Sequence, residues 1–158
     1  MKDHSEKEKA KEKALALLKN RDKTVFEISE ALKKNSFGED NITETINYLK
    51  DLGYLDDFTY AANFTEMSMD KRRGPLRITR ELEAKGISRD LIDATLKKEM
   101  DDQWERNNAR LLAHEIKKKN TTLASDKQLA KIVNKLTYEG YSEDVIKEIT
   151  EDFLSDIR

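Results

Sequence analysis

The carboxylate pairs Asp56-Asp57 and Asp101-Asp102 have the chemistry to hold magnesium or move a proton. Neighbouring residues on a helix point about 100° apart instead of converging, so each pair is expected to cap the start of a helix. The histidines, His4 and His114, cannot complete a metal site between them, and His114-Glu115 lacks the second histidine of a helical zinc motif. The absence of cysteine excludes thiolate nucleophiles, disulfides and sulfur-based zinc sites. Five isolated glycines assemble neither a Walker loop nor a GxGxxG turn. No catalytic residue, metal or cofactor is therefore expected, and the chain does not read as an enzyme.

The spacing that points to a function is cationic. Lys71, Arg72, Arg73, Arg77 and Arg80 form a basic stretch, continued by Lys85 and Arg89, and Lys117, Lys118 and Lys119 form a second run. Residues 71–98 hold nine Lys or Arg against four acids, whereas residues 139–158 hold seven acids against Lys147 and Arg158. A net charge of −2 thus conceals a basic middle and an acidic end. Arg73, Arg77 and Arg80 are four and three apart and predict a stripe along one side of a helix, facing an acidic partner or a phosphate backbone. Tyr60, Phe64 and Met67 also have helical spacing, suited to stacking on nucleobases. A chain this poor in apolar residues is expected to need them in its core instead.

The elements that must position these residues are helices. Of 158 residues, 39% are charged and 37% hydrophobic, too little apolar material for one thick core, so several thin cores along an elongated body are expected. Apolar residues recur three and four apart, as in Ile42, Ile46 and Leu49, and no sustained period-two alternation appears. One pattern occurs three times: Ile28, Leu32, Phe37, Asp40 and Ile42 share their spacing with Ile78, Leu82, Ile87, Asp90 and Ile92, and with Ile132, Leu136, Tyr141, Asp144 and Ile146, at offsets of 50 and 54. The fold class is all-α, three tandem three-helix repeats over residues 6–55, 56–100 and 101–158 in an elongated, curved body.

Local signals fit that division. Ser36, Gly86 and Gly140 are expected to end helices, Ser88 and Ser142 to cap the next, and Asp40, Asp90 and Asp144 to meet helix dipoles in the first turn. Thr24 with Glu27 and Ser125 with Gln128 have capping-box spacing, and Gly74-Pro75 starts a helix in the middle copy. Residues 2–13 alternate lysine with acid, unlike a signal peptide or anchor, and no run approaches the ~20 apolar residues of a membrane span. No membrane partner and a cytoplasmic location are expected.

The segment Leu82-Glu83-Ala84-Lys85-Gly86-Ile87-Ser88 has the look of a helix-turn-helix turn, which gives an alternative reading as a DNA-binding regulator. The helix tips that would face base edges read Gly38-Glu39-Asp40, Ser88-Arg89-Asp90 and Ser142-Glu143-Asp144. Acid there repels the phosphate rails on either side, so the turns are expected to be scaffold.

The run Leu52-Gly53-Tyr54-Leu55-Asp56-Asp57, followed by Tyr60-Ala61, a basic loop into Gly74-Pro75, Leu82 and Lys85-Gly86-Ile87, resembles the RecX regulatory proteins. The resemblance spans about residues 10–155 and is most specific in the middle repeat. It implies a modulator, expected as a monomer, that binds the RecA nucleoprotein filament on single-stranded DNA and restrains its recombinase, ATPase and co-protease activities. Direct contact with single-stranded DNA is a further expectation. Asp56, Asp57, Tyr60, Gly74, Pro75, Leu82, Lys85 and Gly86 match the motif and are expected mainly to serve the fold. The cations at 71–73, 77, 80, 85, 89 and 117–119 are the expected contact residues, on charge and location.

Overall fold

The computed structural model describes residues 2–157, with side chains from residue 5 onward, so the side chain of His4 lies outside the described residues. Among the described residues there are nine α-helices and no strands: α1 Lys2–Asn20, α2 Val25–Lys34, α3 Glu39–Asp51, α4 Asp57–Asp70, α5 Pro75–Ala84, α6 Arg89–Glu99, α7 Asp102–Lys119, α8 Ser125–Glu139 and α9 Glu143–Asp156. They pack in consecutive triplets, α1–α3, α4–α6 and α7–α9. Three separate cores result, centred on Ile28, Leu32 and Leu49, on Ile78, Leu82 and Ile92, and on Ile132, Leu136 and Tyr141. The accessible surface is 10354 Å², about a quarter above the roughly 8,200 Å² of a compact globule of this mass. That excess is the cost of three thin interiors in place of one.

Helix boundaries follow the local chemistry. Thr24 and Glu27 form the reciprocal capping box, and the side chains of Asp56, Ser88, Asp101 and Ser142 each accept an amide of the helix they start. Ser36, Gly86 and Gly140 end their helices in the left-handed region, at φ 66°, 79° and 89°. Met100 is extended and Asp101 caps α7, so residues 91–119 form two helices and not one.

The expected box at Ser125 and Gln128 does not form. α8 begins at Ser125 with Ala124 as a cap that has no side-chain bond. Gln128 therefore lies inside the helix, where its amide donates to the Asn120 carbonyl at 2.7 Å and closes the α7–α8 loop on itself.

Met67 is a second departure. α4 buries Ala61, Thr65 and Ser68, the stripe beside Tyr60, Phe64 and Met67. Small side chains let α6 approach α4 closely, leaving Tyr60 and Phe64 half-buried at the core's margin and Met67 57% exposed.

The repeats are joined twice in the same way. Thr24 Oγ1 donates to the carbonyl of Lys85 at 2.6 Å, and the Val25 amide donates to the Asp57 carboxylate at 2.9 Å. The Gly74 amide donates to the carbonyl of Glu139 at 2.7 Å, and the Leu76 amide to that of Gly140 at 2.9 Å. Thr24 and Gly74 are separated by the first repeat offset, Lys85 and Glu139 by the second. In each joint the start of a repeat's second helix docks on the turn ending the next repeat's second helix. The turn residue must be glycine there, because a Cβ on Gly86 would overlap Phe26 and one on Gly140 would overlap Arg77.

Candidate functional site

The basic loop between α4 and α5 is held from the third repeat. Lys71 ends α4 and is exposed. Arg72 follows at φ 59°, a left-handed conformation that costs a non-glycine residue roughly 1–2 kcal/mol. Two contacts offset it. The Tyr141 hydroxyl donates to the Arg72 carbonyl at 2.8 Å, and the Arg72 guanidinium meets Glu115 of α7 at 2.6 Å. Burial pushes the Tyr141 phenol far up, so it stays protonated and able to donate. The hydrogen bond from Arg72 is the main reason that the Glu115 carboxyl lies below its ordinary range, and the same bond raises Arg72.

Arg77 does not lie on an open stripe with Arg73 and Arg80. Its side chain is 15% exposed, bonded to Glu81 at 3.0 Å and Glu139 at 3.3 Å, and its guanidinium lies 5.2 Å from the Tyr138 ring centre. The bond to Glu81 raises its pKa most. Glu139 also accepts from Lys135 at 3.1 Å. Arg73 lies 3.9 Å from Glu81, and Arg89 pairs with Glu83 at 2.9 Å and Asp93 at 3.0 Å. Arg72, Arg73, Arg77 and Arg89 are thus engaged with carboxylates.

The other candidates are differently placed. Lys85 is half-buried, its ammonium 5.7 Å from the Phe64 ring centre, and Lys117 stands 5.2 Å from that of Phe153. Lys71, Arg80, Lys118 and Lys119 are exposed and make no ion pair among the described residues, although Lys119 lies near enough to Glu115 to help depress it. The structure brings the basic loop onto the second joint and leaves Lys117–Lys119 at the end of α7.

The motif residues build the scaffold. Asp56 caps α4 through the Thr59 amide at 3.2 Å and its hydroxyl at 2.9 Å, and the amide bond is the main cause of its lowered pKa. Asp57 is the carboxylate of the first joint. Leu82 is fully buried, and Pro75 opens α5 behind Gly74. Reading along the chain did not single out Glu115 or Glu139 as anchors of the basic loop. Their partners lie 43 and 62 positions away; the repeat offset, which gives Glu139 the position of Lys85, points to Glu139, and no local signal points to Glu115.

At the tips of α3, α6 and α9, Glu39, Asp40, Asp90, Glu143 and Asp144 are exposed. This is the wrong charge for entry into a DNA groove. Among the described residues no group of three or more His, Asp or Glu is placed to hold a metal ion, and no helix is long and apolar enough to cross a membrane.

Family models for RecX match twice, the first three-helix domain over residues 10–49 and the second over residues 56–96. The regulatory protein RecX of Legionella pneumophila is 32% identical over 147 residues, covering 93% of this chain and 96% of the relative. That of Vibrio campbellii is 36% identical over 137 residues, covering 87% and 86%. The crystal structure of RecX from Lactobacillus salivarius superposes with a TM-score of 0.84 at 26% identity, covering 95% of this chain and 97% of that one. With three-helix repeats, joints made by its motif residues and similarity over most of both chains, the chain belongs to the RecX family of regulatory proteins.

Proposed function

We propose that this chain binds the RecA filament on single-stranded DNA and restrains its recombinase, ATPase and co-protease activities, as a cytoplasmic monomer in DNA repair and not as an enzyme. The observation that carries the reading is similarity over nearly the whole of both chains to proteins named regulatory protein RecX. An elongated array of small cores supports it, because stacked repeats offer an extended surface to a helical polymer. The outward cations Lys71, Arg80, Lys118 and Lys119 are the contact residues under this reading, with Lys85 and Lys117 at its margin. Arg72, Arg73, Arg77 and Arg89, held by carboxylates, shape the surface and are poorer contacts.

Co-sedimentation with RecA filaments on single-stranded DNA, beside RecA ATP hydrolysis, tests the reading. The expected result is stoichiometric capture by filaments, falling steeply with salt, together with slowed hydrolysis. Neither capture nor an effect on hydrolysis at equimolar protein would remove it.

A further inference from the structure

The aromatic face of α4 lies at the margin of the second core, with Tyr60 and Phe64 packed against it but half-open to solvent and Met67 exposed. Tyr60, Phe64 and Met67 lie on one face, and the next position on that face is Lys71. The Tyr60 and Phe64 rings are nearly parallel, 13° apart in plane and 6.3 Å between centres. They floor a cleft of about 320 Å³ whose opposite wall is the α1–α2 loop, with Arg21 and Asp22. Lys85 closes one side, its ammonium near the Phe64 ring. A smaller cleft holding exposed Tyr54 shares Asp22, Tyr60 and Asn63 with the first and extends it toward the first joint.

We propose that this cleft is a stacking site for unpaired bases of single-stranded nucleic acid. Flat π faces offer a sequence-tolerant platform for bases, and flanking cations suit the backbone that runs beside them. From Tyr60 to Met67 the helix rises about 10 Å, room for two or three bases at the ~3.4 Å spacing of a strand. Asn63 presents an amide to base edges on the same wall. The carboxylate of Asp22 is outnumbered by Arg21 and Lys85 on the cleft, with Lys71 at the stripe's end. Arg21 is only loosely held, 3.7 Å from Glu27 with a 62% exposed side chain. An apolar protein segment would gain nothing from cations on both walls. The inference goes beyond filament binding, and its test contains no RecA, so the two fail separately.

The test is fluorescence anisotropy of a labelled oligothymidine titrated with the intact chain at low salt. Saturable binding is expected, with log K falling against log salt at a slope near −2, from about −0.7 for each of three cations. Tyr60→Leu and Phe64→Leu keep apolar volume while removing the π face, and each is expected to weaken binding roughly tenfold or more. Should a leucine variant lose helicity, Met67→Ala, at an exposed position, removes the apolar contact at the end of the same face and is expected to weaken binding. Lys131→Gln, at an exposed position of α8 away from the cleft, is expected to bind as the parent does. Absence of binding by the parent overturns the proposal. So does binding that Tyr60→Leu, Phe64→Leu and Met67→Ala all leave unchanged, or that polyglutamate matches, since charge alone would then account for it.

Discussion

Gly74 stands against Gly140 so closely that a methyl group on its α-carbon would lie 2.5 Å from the Gly140 carbonyl, while its amide donates to the neighbouring Glu139 carbonyl. The pair forms the second joint, and Thr24 with Gly86 occupies the same positions in the first. Two turn glycines therefore set how closely successive repeats approach.

Gly140→Ala is expected to be costly. The left-handed φ of 89° alone penalises a side chain by roughly 1–2 kcal/mol, and overlap with the Arg77 backbone adds to it. Thermal melting followed by helicity should fall by about 2–4 °C per kcal/mol. Gly38→Ala is the control: a Cβ there meets nothing within 4 Å. Equal melting temperatures for the two variants would show that the joint is not close-packed.

Thr24 and Ser88 both cap helices, but Thr24 has a second task. Its hydroxyl accepts from the Glu27 amide and donates to the Lys85 carbonyl of the next repeat, and it is fully buried. Ser88, exposed, bonds only the Leu91 amide. Ser88→Ala should cost about 1 kcal/mol, whereas Thr24→Ala adds an unsatisfied carbonyl and should cost about 2–3 kcal/mol. Denaturant midpoints at equal slope are the measurement.

Helix starts, helix ends and the three cores were legible because each is written locally: a cap three residues from its partner, a small residue after an Ile–Leu pair, an apolar face repeated at fixed offsets. Side chains whose environment is supplied by another repeat were not. Arg77 has the spacing of a solvent stripe, but Glu139 sits 62 positions on and draws it into the joint. Met67 on α4 was misjudged for a different reason. Size argued for burying it with Tyr60 and Phe64, which do pack against the core, yet close helix packing placed the small Ala61, Thr65 and Ser68 innermost and left Met67 outside. The functional surface is the least legible part, since an exposed cation has the same spacing as a paired one.

The tie between Arg72 and Glu115 gives a pH dependence of definite sign. The Glu115 pKa is lowered in the fold, chiefly by the Arg72 hydrogen bond. Its contribution is therefore present above the ordinary glutamate pKa and lost as pH falls through the lower folded value. Carboxyl NMR should give Glu115 a midpoint below 4.5, the ordinary value, and Arg72→Ala should return it towards that value. Protection of the amides of residues 71–73, taken relative to the intrinsic exchange rate at each pH, should fall in acid for the parent and be insensitive to pH in Glu115→Gln. An unshifted Glu115 would mean the loop is not tethered this way.

The hydroxyls of Thr45 and Thr65 are buried with no hydrogen-bond partner among the described residues. Burying a hydroxyl without compensation costs about 1–3 kcal/mol on mutational scales, so Thr45→Val and Thr65→Val, which keep the shape, should each stabilise by about 1 kcal/mol. Their sites lie in different repeats with separate cores, so the effects should add within about 0.5 kcal/mol. A lower melting temperature for either variant would show that the hydroxyl is satisfied in solution.

Arg77 and Arg80 stand three apart on α5 and should separate scaffold from contact. Arg77 is held by Glu81 and Glu139 at the joint, whereas Arg80 is exposed with no carboxylate partner among the described residues. Arg77→Met leaves Glu139, 11% exposed at its side chain, with Lys135 alone. The loss should be about 1–2 kcal/mol, below the 3–5 kcal/mol of a fully buried pair because Lys135 remains. Filament co-sedimentation at low salt should be nearly unchanged provided the variant is folded. Arg80→Glu should do the opposite: melt as the parent does, yet lose roughly tenfold in filament affinity, with a shallower salt dependence because one charge contact is gone. The reverse pattern, with Arg77 governing capture and Arg80 governing melting, would move the contact surface onto the joint itself and refute the assignment of Arg80.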